Sequence, residues 1–284
     1  MILITGATGG IGSELCKLLA DAAVPARAMY RKQEQLAQFT KMGIEAVKGD
    51  FEDTDSLKLA MQGCDQLFLL TQPSPNQESW EKTAIDLAVN AGIKNIVKIS
   101  AGDANLSTEV PWARSHAKID HYLRKSGIGW TIIRPSAFFQ NFLKSAKVIA
   151  KGILPQVTGK GQACYIDLRD IALVAKHTLI EKHHQGAVYY LTGNESLTMK
   201  DIAVNLSKAT GCKIRFVNIP VFVMYISLML SGVSKWMAKG LIEQFNGLVR
   251  GGYDMDVTEE VERITGRLPR TFLQFAKENK EKFV

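Results

Sequence analysis

Residues 2–12 read Ile-Leu-Ile-Thr-Gly-Ala-Thr-Gly-Gly-Ile-Gly. An apolar run of strand length ends in a glycine turn, and an apolar-periodic stretch follows over Ile11–Ala22, with Leu15, Leu18 and Leu19 on one side. That order spells strand, tight turn and helix. Gly6, Gly9 and Gly12 form a GxxGxxG pattern. In such a unit the first glycine permits the turn, the second lets the backbone pass close to a pyrophosphate, and the third lets the helix approach the sheet. Unpaired amides at the helix start, aided by its positive end, then face the phosphates. Gly6, Thr8, Gly9, Gly10, Ile11 and Gly12 are therefore the expected grip of a dinucleotide; the competing reading is a tight turn with no ligand.

Outward from this unit the first 135 residues alternate strand and helix signals. Strands are expected at Ile2–Thr5, Val24–Tyr30, Glu45–Lys48, Gln66–Leu70, Asn95–Ile99 and Trp130–Arg134. Helices are expected at Gln33–Met42, Ser56–Gln62 (capped by Asp53 or Thr54), Ser79–Ala91 and Trp112–Lys125. Short strands joined by helices mean right-handed crossovers and a parallel sheet. The fold class is α/β: a Rossmann-type doubly wound parallel sheet with a smaller, irregular C-terminal substrate domain. Residues 1–135 form the nucleotide domain, to which later segments can return, and 136–284 form mainly a substrate-binding or lid region. In that second half, helices are expected at Phe138–Ile149, Arg169–Leu179, Met199–Thr210, Phe222–Leu230, Lys235–Asn246, Thr258–Thr265 and Thr271–Asn279. Strands are expected at Ala163–Ile166, Val188–Leu191 and Ile214–Asn218.

Composition narrows the class. With 284 residues, 46% hydrophobic and 22% charged, the chain is an ordinary globular protein. Cys16, Cys64, Cys164 and Cys212 are scattered, which predicts reduced thiols and no metal. The net charge of +7 suits an anionic cofactor. Its basic residues are spread out without a recognition motif, so no nucleic acid is expected. Ile219–Val233 is the most apolar stretch. It is shorter than the roughly 20 residues of a membrane span and reads as a buried or pocket-covering helix. No targeting segment is seen before the first strand, so the expected location is the cytoplasm, as a monomer or homodimer.

The nucleotide is chosen at the end of strand two. An NAD site places Asp or Glu there for the ribose hydroxyls, whereas this chain reads Tyr30-Arg31-Lys32. Two cations suit a 2′-phosphate, Arg31 through its planar fork, so NADP, as NADPH, is preferred over NADH. Asp50 and Phe51 follow strand three, where an adenine ring can rest; either can instead cap the next segment. Thr71, Gln72 and Pro73 end strand four, and Ser100 and Ala101 end strand five. Both stretches face the nicotinamide half by topology.

Several motifs together carry a resemblance. They are the glycine pattern, Gly49-Asp50, the Ser100 strand end and Arg114-Ser-His-Ala-Lys118. To these add Ile132-Ile-Arg-Pro135-Ser-Ala-Phe138-Phe139-Gln-Asn141 and Asp167-Leu-Arg-Asp170-Ile-Ala172. The chain resembles the NmrA-like atypical short-chain dehydrogenase/reductases, and within them bacterial NAD(P)H-dependent quinone, azo-dye and triphenylmethane-dye reductases. The resemblance implies a Rossmann domain, a small C-terminal domain and one of two roles: reduction of quinones or dyes, or cofactor sensing for a partner protein.

The wider superfamily uses Tyr-x-x-x-Lys on the helix after strand five. Lys118 matches the lysine, but Arg114 stands in the tyrosine position. Carbonyl reduction thus lacks its usual acid, while a quinone or azo bond needs mainly proximity and orientation. Lys118 is the candidate for ribose or nicotinamide, or else a surface lysine, and His116 for proton donor, substrate contact or structural or exposed histidine. Tyr122 reads as helix packing or a substitute donor. His177, His183 and His184 show no triad spacing. Pro135 turns the chain across the sheet edge. Phe138 and Phe139 offer flat apolar surface to an aromatic substrate or fill a core; Asn141 offers one orienting hydrogen bond, and Tyr225 a lid contact. Asp167 and Asp170 read as structural. The reading is NADPH-dependent hydride transfer to a small aromatic or conjugated electrophile. The alternatives are a redox sensor with little turnover or reduction of an isoflavone-like double bond.

Overall fold

The computed structural model describes residues 1–249 and 256–284. The chain runs β1 (Ile2–Ile4), α1 (Gly10–Asp21), β2 (Ala26–Tyr30), α2 (Leu36–Lys41), β3 (Glu45–Lys48), α3 (Thr54–Met61), β4 (Gln66–Leu69), α4 (Gln77–Asn90), β5 (Asn95–Ile99), α5 (Pro111–Lys125) and β6 (Gly129–Pro135). It continues through α6 (Ala146–Ile149), β7 (Ile153–Gln156), β8 (Gln162–Ala163), α7 (Leu168–Ile180), β9 (Val188–Leu191), β10 (Leu197–Thr198), α8 (Met199–Thr210) and β11 (Arg215–Asn218). The remaining helices are α9 (Val221–Leu230), α10 (Lys235–Val249), α11 (Glu260–Thr265) and α12 (Phe272–Glu278). Two compact units result: Met1–Leu106 with Trp112–Arg134 and Ile171–Tyr189, and Ser107–Pro111 with Pro135–Asp170 and Tyr190–Val284.

The first unit is built on a seven-stranded sheet of order β3-β2-β1-β4-β5-β6-β9. β1 to β6 pair in parallel, as a chain that crosses over through helices requires. Leu3, Leu67, Leu69, Ile96 and Ile132 of the strands are buried with Leu57 and Met61 of α3, Ile85 of α4 and Ile119 and Leu123 of α5. The strand order reverses between β1 and β4, and the crevice beyond their carboxyl ends is where such sheets bind ligands. Thr5 fastens this point: its Oγ1 accepts from the Leu70 N–H at 2.9 Å and lies 3.0 Å from the Phe68 carbonyl. Asp53 caps α3, its carboxylate accepting from the N–H groups of Asp55 and Ser56, one of the two caps expected.

The second unit has a core rich in aromatics. Phe139, Phe142, Phe272, Phe275 and Phe283 are buried with Leu154, Tyr165, Met199, Ile202 and Leu206. Phe272 meets Phe139 and Phe142 edge-on at ring separations of 5.3 and 5.1 Å, the arrangement the ring quadrupoles favour. β7 pairs in parallel with β11, and β8 antiparallel with β10.

Three expectations about this unit need correction. Phe138–Ile149 is not one helix but a 3₁₀ segment over Phe139–Ser145 followed by α6, because Phe138 is extended and bridges to Ile166. Ala163–Ile166 reduces to the two-residue β8 and that bridge. β7 was not expected at all; it contains Pro155 and is held by a partner some 60 residues away. The Ile219–Val233 stretch is not buried within its unit. α9 leaves Phe222, Ile226 and Leu230 exposed, Leu230 to 85%, and packs on α10 beside a groove lined by Phe222, Tyr225, Lys239 and Ile242. Among the described residues no helix is long and apolar enough to cross a membrane.

Candidate functional site

α1 begins on Gly9, and no side chain caps its first turn. The orphan amides of a helix start must then be met by solvent or a ligand. The loop before it is shaped by glycine alone. Gly6 has φ of +61°, and a Cβ there would lie 2.8 Å from the Leu70 carbonyl oxygen. A Cβ on Gly12 would stand 2.2 Å from the Gly6 carbonyl oxygen. Thr8, Gly9 and Gly10 are exposed, and Ile11 and Gly12 are buried against the sheet. Uncapped amides, a positive helix end and backbone bared by glycine fit a pyrophosphate.

A cleft opens beside this loop. It is lined by Gly6, Thr8, Met29, Arg31, Asp50, Phe51, Glu52, Leu70, Thr71, Gln72 and Trp80. Seven of the residues singled out from sequence thus face one space: Gly6, Thr8, Arg31, Asp50, Phe51, Thr71 and Gln72. Arg31 is exposed, and among the described residues no carboxylate pairs with it. Lys32 is exposed outside the lining; its N–H and that of Arg31 donate to Gln35 Oε1. Asp50 Oδ1 accepts from the Glu52 N–H at 3.1 Å, so Asp50 caps the next turn while also facing the cleft. Phe51 lies against Trp80, ring centroids 6.5 Å apart and tilted by 32°. Trp80 was not foreseen. Its signal was an aromatic in the first turn of the helix after strand four, where polar residues surround it.

Thr71 leads from the cleft into a buried ionic cluster. Its hydroxyl donates to Glu81 Oε1 at 2.5 Å, and Gln77 Nε2 donates to the same oxygen at 3.0 Å. Lys98 Nζ lies 3.4 Å from Glu81 Oε2, 3.2 Å from Asp120 Oδ1 and 2.9 Å from His116 Nδ1. Asp120 Oδ2 accepts from Ser100 Oγ at 2.8 Å and from Arg134 Nε and Nη2 at 3.1 and 2.8 Å. Lys98 and Glu81 are wholly inaccessible to solvent. The cluster has two cations, Lys98 and Arg134, and two carboxylates, Glu81 and Asp120, so its charges balance, as buried charges must. Burial pushes the Asp120 carboxyl up, but Lys98, Arg134 and the Ser100 hydroxyl outweigh it and hold the group below the usual carboxylate range. The strand ends that carry Thr71 and Ser100 are therefore each tied to a fixed carboxylate. Lys98 went unread because a lysine in Asn-Ile-Val-Lys-Ile looks like a solvent-facing position of a strand; in a strand buried on both faces it signals an internal ion pair.

The remaining candidates separate. His116 is corrected as a proton donor to substrate. It is buried, Lys98 faces its Nδ1, and Gln77 Nε2 lies 3.2 Å from its Nε2. Burial first, then Lys98 and Arg134, hold its pKa well below the ordinary value, and both ring nitrogens face protein groups inside the cluster rather than the cleft. Lys118 is exposed outside the cleft lining and ion-paired with Glu78 Oε2 at 3.0 Å. Tyr122 donates to Asp86 Oδ1 at 2.7 Å, a packing role. Pro73 is exposed, Ser100 and Pro135 are buried, and Ala101 is half-buried. Phe139 is corrected as a substrate contact: it is 1% exposed, inside the aromatic core. Phe138 is half-buried, and Asn141 and Tyr225 are exposed. Asp167 and Asp170 are structural, paired with Arg169 and Arg270.

The chain is similar to known proteins over nearly its whole length. The NAD(P)H-binding family profile matches residues 6–182. An NAD(P)H azoreductase of Xenophilus azovorans is 32% identical over 278 residues, covering 98% of this chain and 97% of its own. The crystal structure of the NADPH-dependent quinone oxidoreductase QOR2 of Escherichia coli with NADPH superposes with a TM-score of 0.87 at 26% identity, covering 98% and 99% of the two chains. A variant of NmrA superposes with a TM-score of 0.78 at 17% identity over 98% and 94%, a likeness of fold. A strand–loop–helix grip, an α/β sheet of this order and relatives matched from end to end make the chain a member of the NAD(P)H-binding family, an oxidoreductase with the NmrA-like fold.

Proposed function

We propose that the chain is an NADPH-preferring reductase that passes hydride to a small aromatic or conjugated electrophile, such as a quinone or an azo compound. The observation that carries the cofactor half is Arg31 in the cleft, with no carboxylate paired to it among the described residues, at the position where an NAD site carries an acid. The names of the azoreductase and quinone oxidoreductase relatives support the acceptor class.

In this reading the amides of Gly9 to Gly12 and the loop from Gly6 hold the pyrophosphate. Arg31, with Lys32 at the rim, takes the 2′-phosphate by charge-assisted bonds. Phe51 and Trp80 flank the adenine. Thr71, Gln72 and Pro73, with Ser100 and Ala101, border the nicotinamide half, and Lys118 serves the ribose once released from Glu78. Bound NADPH supplies a hydride from its nicotinamide ring. The half-buried Phe138 and the exposed Asn141 and Tyr225 retain surface for the acceptor. Arg114 stands where the superfamily's acid would be, so the proton that completes a hydroquinone comes from water. The protein's share is orientation and exclusion of competing reactions.

Steady-state loss of reduced-nicotinamide absorbance with a panel of quinones and azo dyes tests the acceptor class. Turnover with these and not with aliphatic carbonyls is expected. Tight NADPH binding with no oxidation by any acceptor would sink the enzyme reading and leave the sensor. Arg31→Ala tests the cofactor choice. Charge-assisted hydrogen bonds contribute about 1.5–3 kcal/mol, so we expect KM for NADPH to rise about tenfold or somewhat more, with KM for NADH nearly unchanged. Equal effects on both nucleotides would refute the 2′-phosphate role.

A further inference from the structure

The end of α7 gathers three histidines around one carboxylate. Glu181 Oε1 lies 2.7 Å from His177 Nδ1. Its Oε2 lies 3.2 Å from His184 Nε2 and 3.6 Å from His183 Nε2. We propose that Glu181, His183 and His184 form a zinc site on this unit, with His177 orienting the carboxylate from behind.

Three independent features carry it. The first is spacing. Two ligands about 2.0–2.1 Å from a tetrahedral zinc lie about 3.3–3.4 Å apart. The separations of Oε2 from the two imidazole nitrogens, 3.2 and 3.6 Å, bracket that edge, and the three ligand atoms all lie within 4.8 Å of one another. The second is outer support. A zinc-bound imidazole donates its other N–H to a fixed partner, and ligating carboxylates are themselves hydrogen-bonded. His184 Nδ1 lies 2.7 Å from the Tyr189 hydroxyl, and Glu181 Oε1 has His177. The third is backbone rigidity. The His184 carbonyl accepts from Thr131 Oγ1 at 2.9 Å, and Gly186 N–H donates to the Trp130 carbonyl at 2.7 Å, pinning the loop to β6. His184 is 2% exposed while His183 is 73% exposed, so one ligand is fixed and one faces solvent.

Imidazole and carboxylate together suit zinc rather than magnesium or calcium. Three protein ligands leave the fourth position to water. The site lies at the amino edge of the sheet: the neighbouring groove is lined by Gln66 and Asn95, the first residues of β4 and β5, with Glu181 and Gln185. That is the edge away from the cofactor cleft, so the expected role is to clamp the end of α7 rather than to take part in hydride transfer. The scattered cysteines pointed to no metal, and Glu181 with two adjacent histidines has none of the spacings that mark zinc motifs.

Isothermal titration of tag-free protein with zinc chloride tests the proposal. One saturable zinc per chain is expected, with affinity falling at least about tenfold in His183→Ala and in Glu181→Gln. His183 is a surface residue, so its variant folds, which circular dichroism checks. Cobalt(II) titrated in its place should give the intense visible absorption of a four-coordinate ion. No saturable zinc heat, binding unchanged in both variants, or a weak six-coordinate cobalt spectrum would each overturn the site.

Discussion

Replacing Lys98 by methionine is expected to cost about 3–5 kcal/mol of stability, the range for removing one partner of a buried ion pair. Methionine fills much of the same volume, so the loss is electrostatic rather than a cavity. Lys98 Nζ sits between Glu81 and Asp120, both sealed from solvent. Without it the cluster holds two carboxylates against Arg134 alone. Asp120 keeps its two bonds from Arg134 and one from Ser100, so the orphan is Glu81, left with Thr71 and Gln77. The prediction is therefore asymmetric. Adding Glu81→Gln to Lys98→Met should recover at least about 1 kcal/mol, whereas adding Asp120→Asn should recover nothing, because it strands Arg134 instead. Urea unfolding of the three variants at neutral pH measures this. A loss under about 1 kcal/mol in Lys98→Met would show that water reaches the cluster and screens it. Because Glu81 holds the Thr71 hydroxyl at the cleft, the same variant should also weaken NADPH binding.

The difference between what the chain announced and what it concealed follows from interaction range. β1, the glycine turn and α1 are adjacent in sequence and governed by local rules, so their geometry was legible from eleven residues. Arg31, Asp50, Phe51 and Thr71 were legible one step later, because a parallel sheet places every strand's carboxyl end on the same edge. Lys98 needed knowledge of its neighbours: Glu81 and Asp120 come from two helices that only the sheet order brings together. Phe138 and Phe139 show the limit most plainly. They are the same residue type side by side, yet one is half-buried and the other lies in a core completed by Phe272 and Phe275, more than 130 positions away. No local pattern assigns them. The same holds for β7, whose partner β11 follows only after the helices α7 and α8 and three further strands.

Gly12→Ala is expected to abolish most cofactor affinity, by about 100-fold, the scale that a misplacement near 1 Å can produce. The added methyl would lie 2.2 Å from the Gly6 carbonyl oxygen, 2.7 Å from the Gly6 carbonyl carbon and 2.8 Å from the Ala7 Cα. All three are backbone, so no side chain can swing aside. Relief comes only from moving α1 away from the loop, which withdraws the amides of its first turn from the phosphates. Overpacking of this kind also costs about 1–3 kcal/mol in stability. Gly9 is the control. A Cβ there meets only the Gly6 carbonyl oxygen at 3.3 Å, and its backbone is extended, so Gly9→Ala should fold normally and lose affinity only through crowding the ligand itself. Calorimetric titration with NADPH, alongside thermal unfolding, separates the two. If Gly12→Ala bound NADPH as tightly as the parent protein, the glycine loop would not be the phosphate grip, and the cleft beside it would need another occupant.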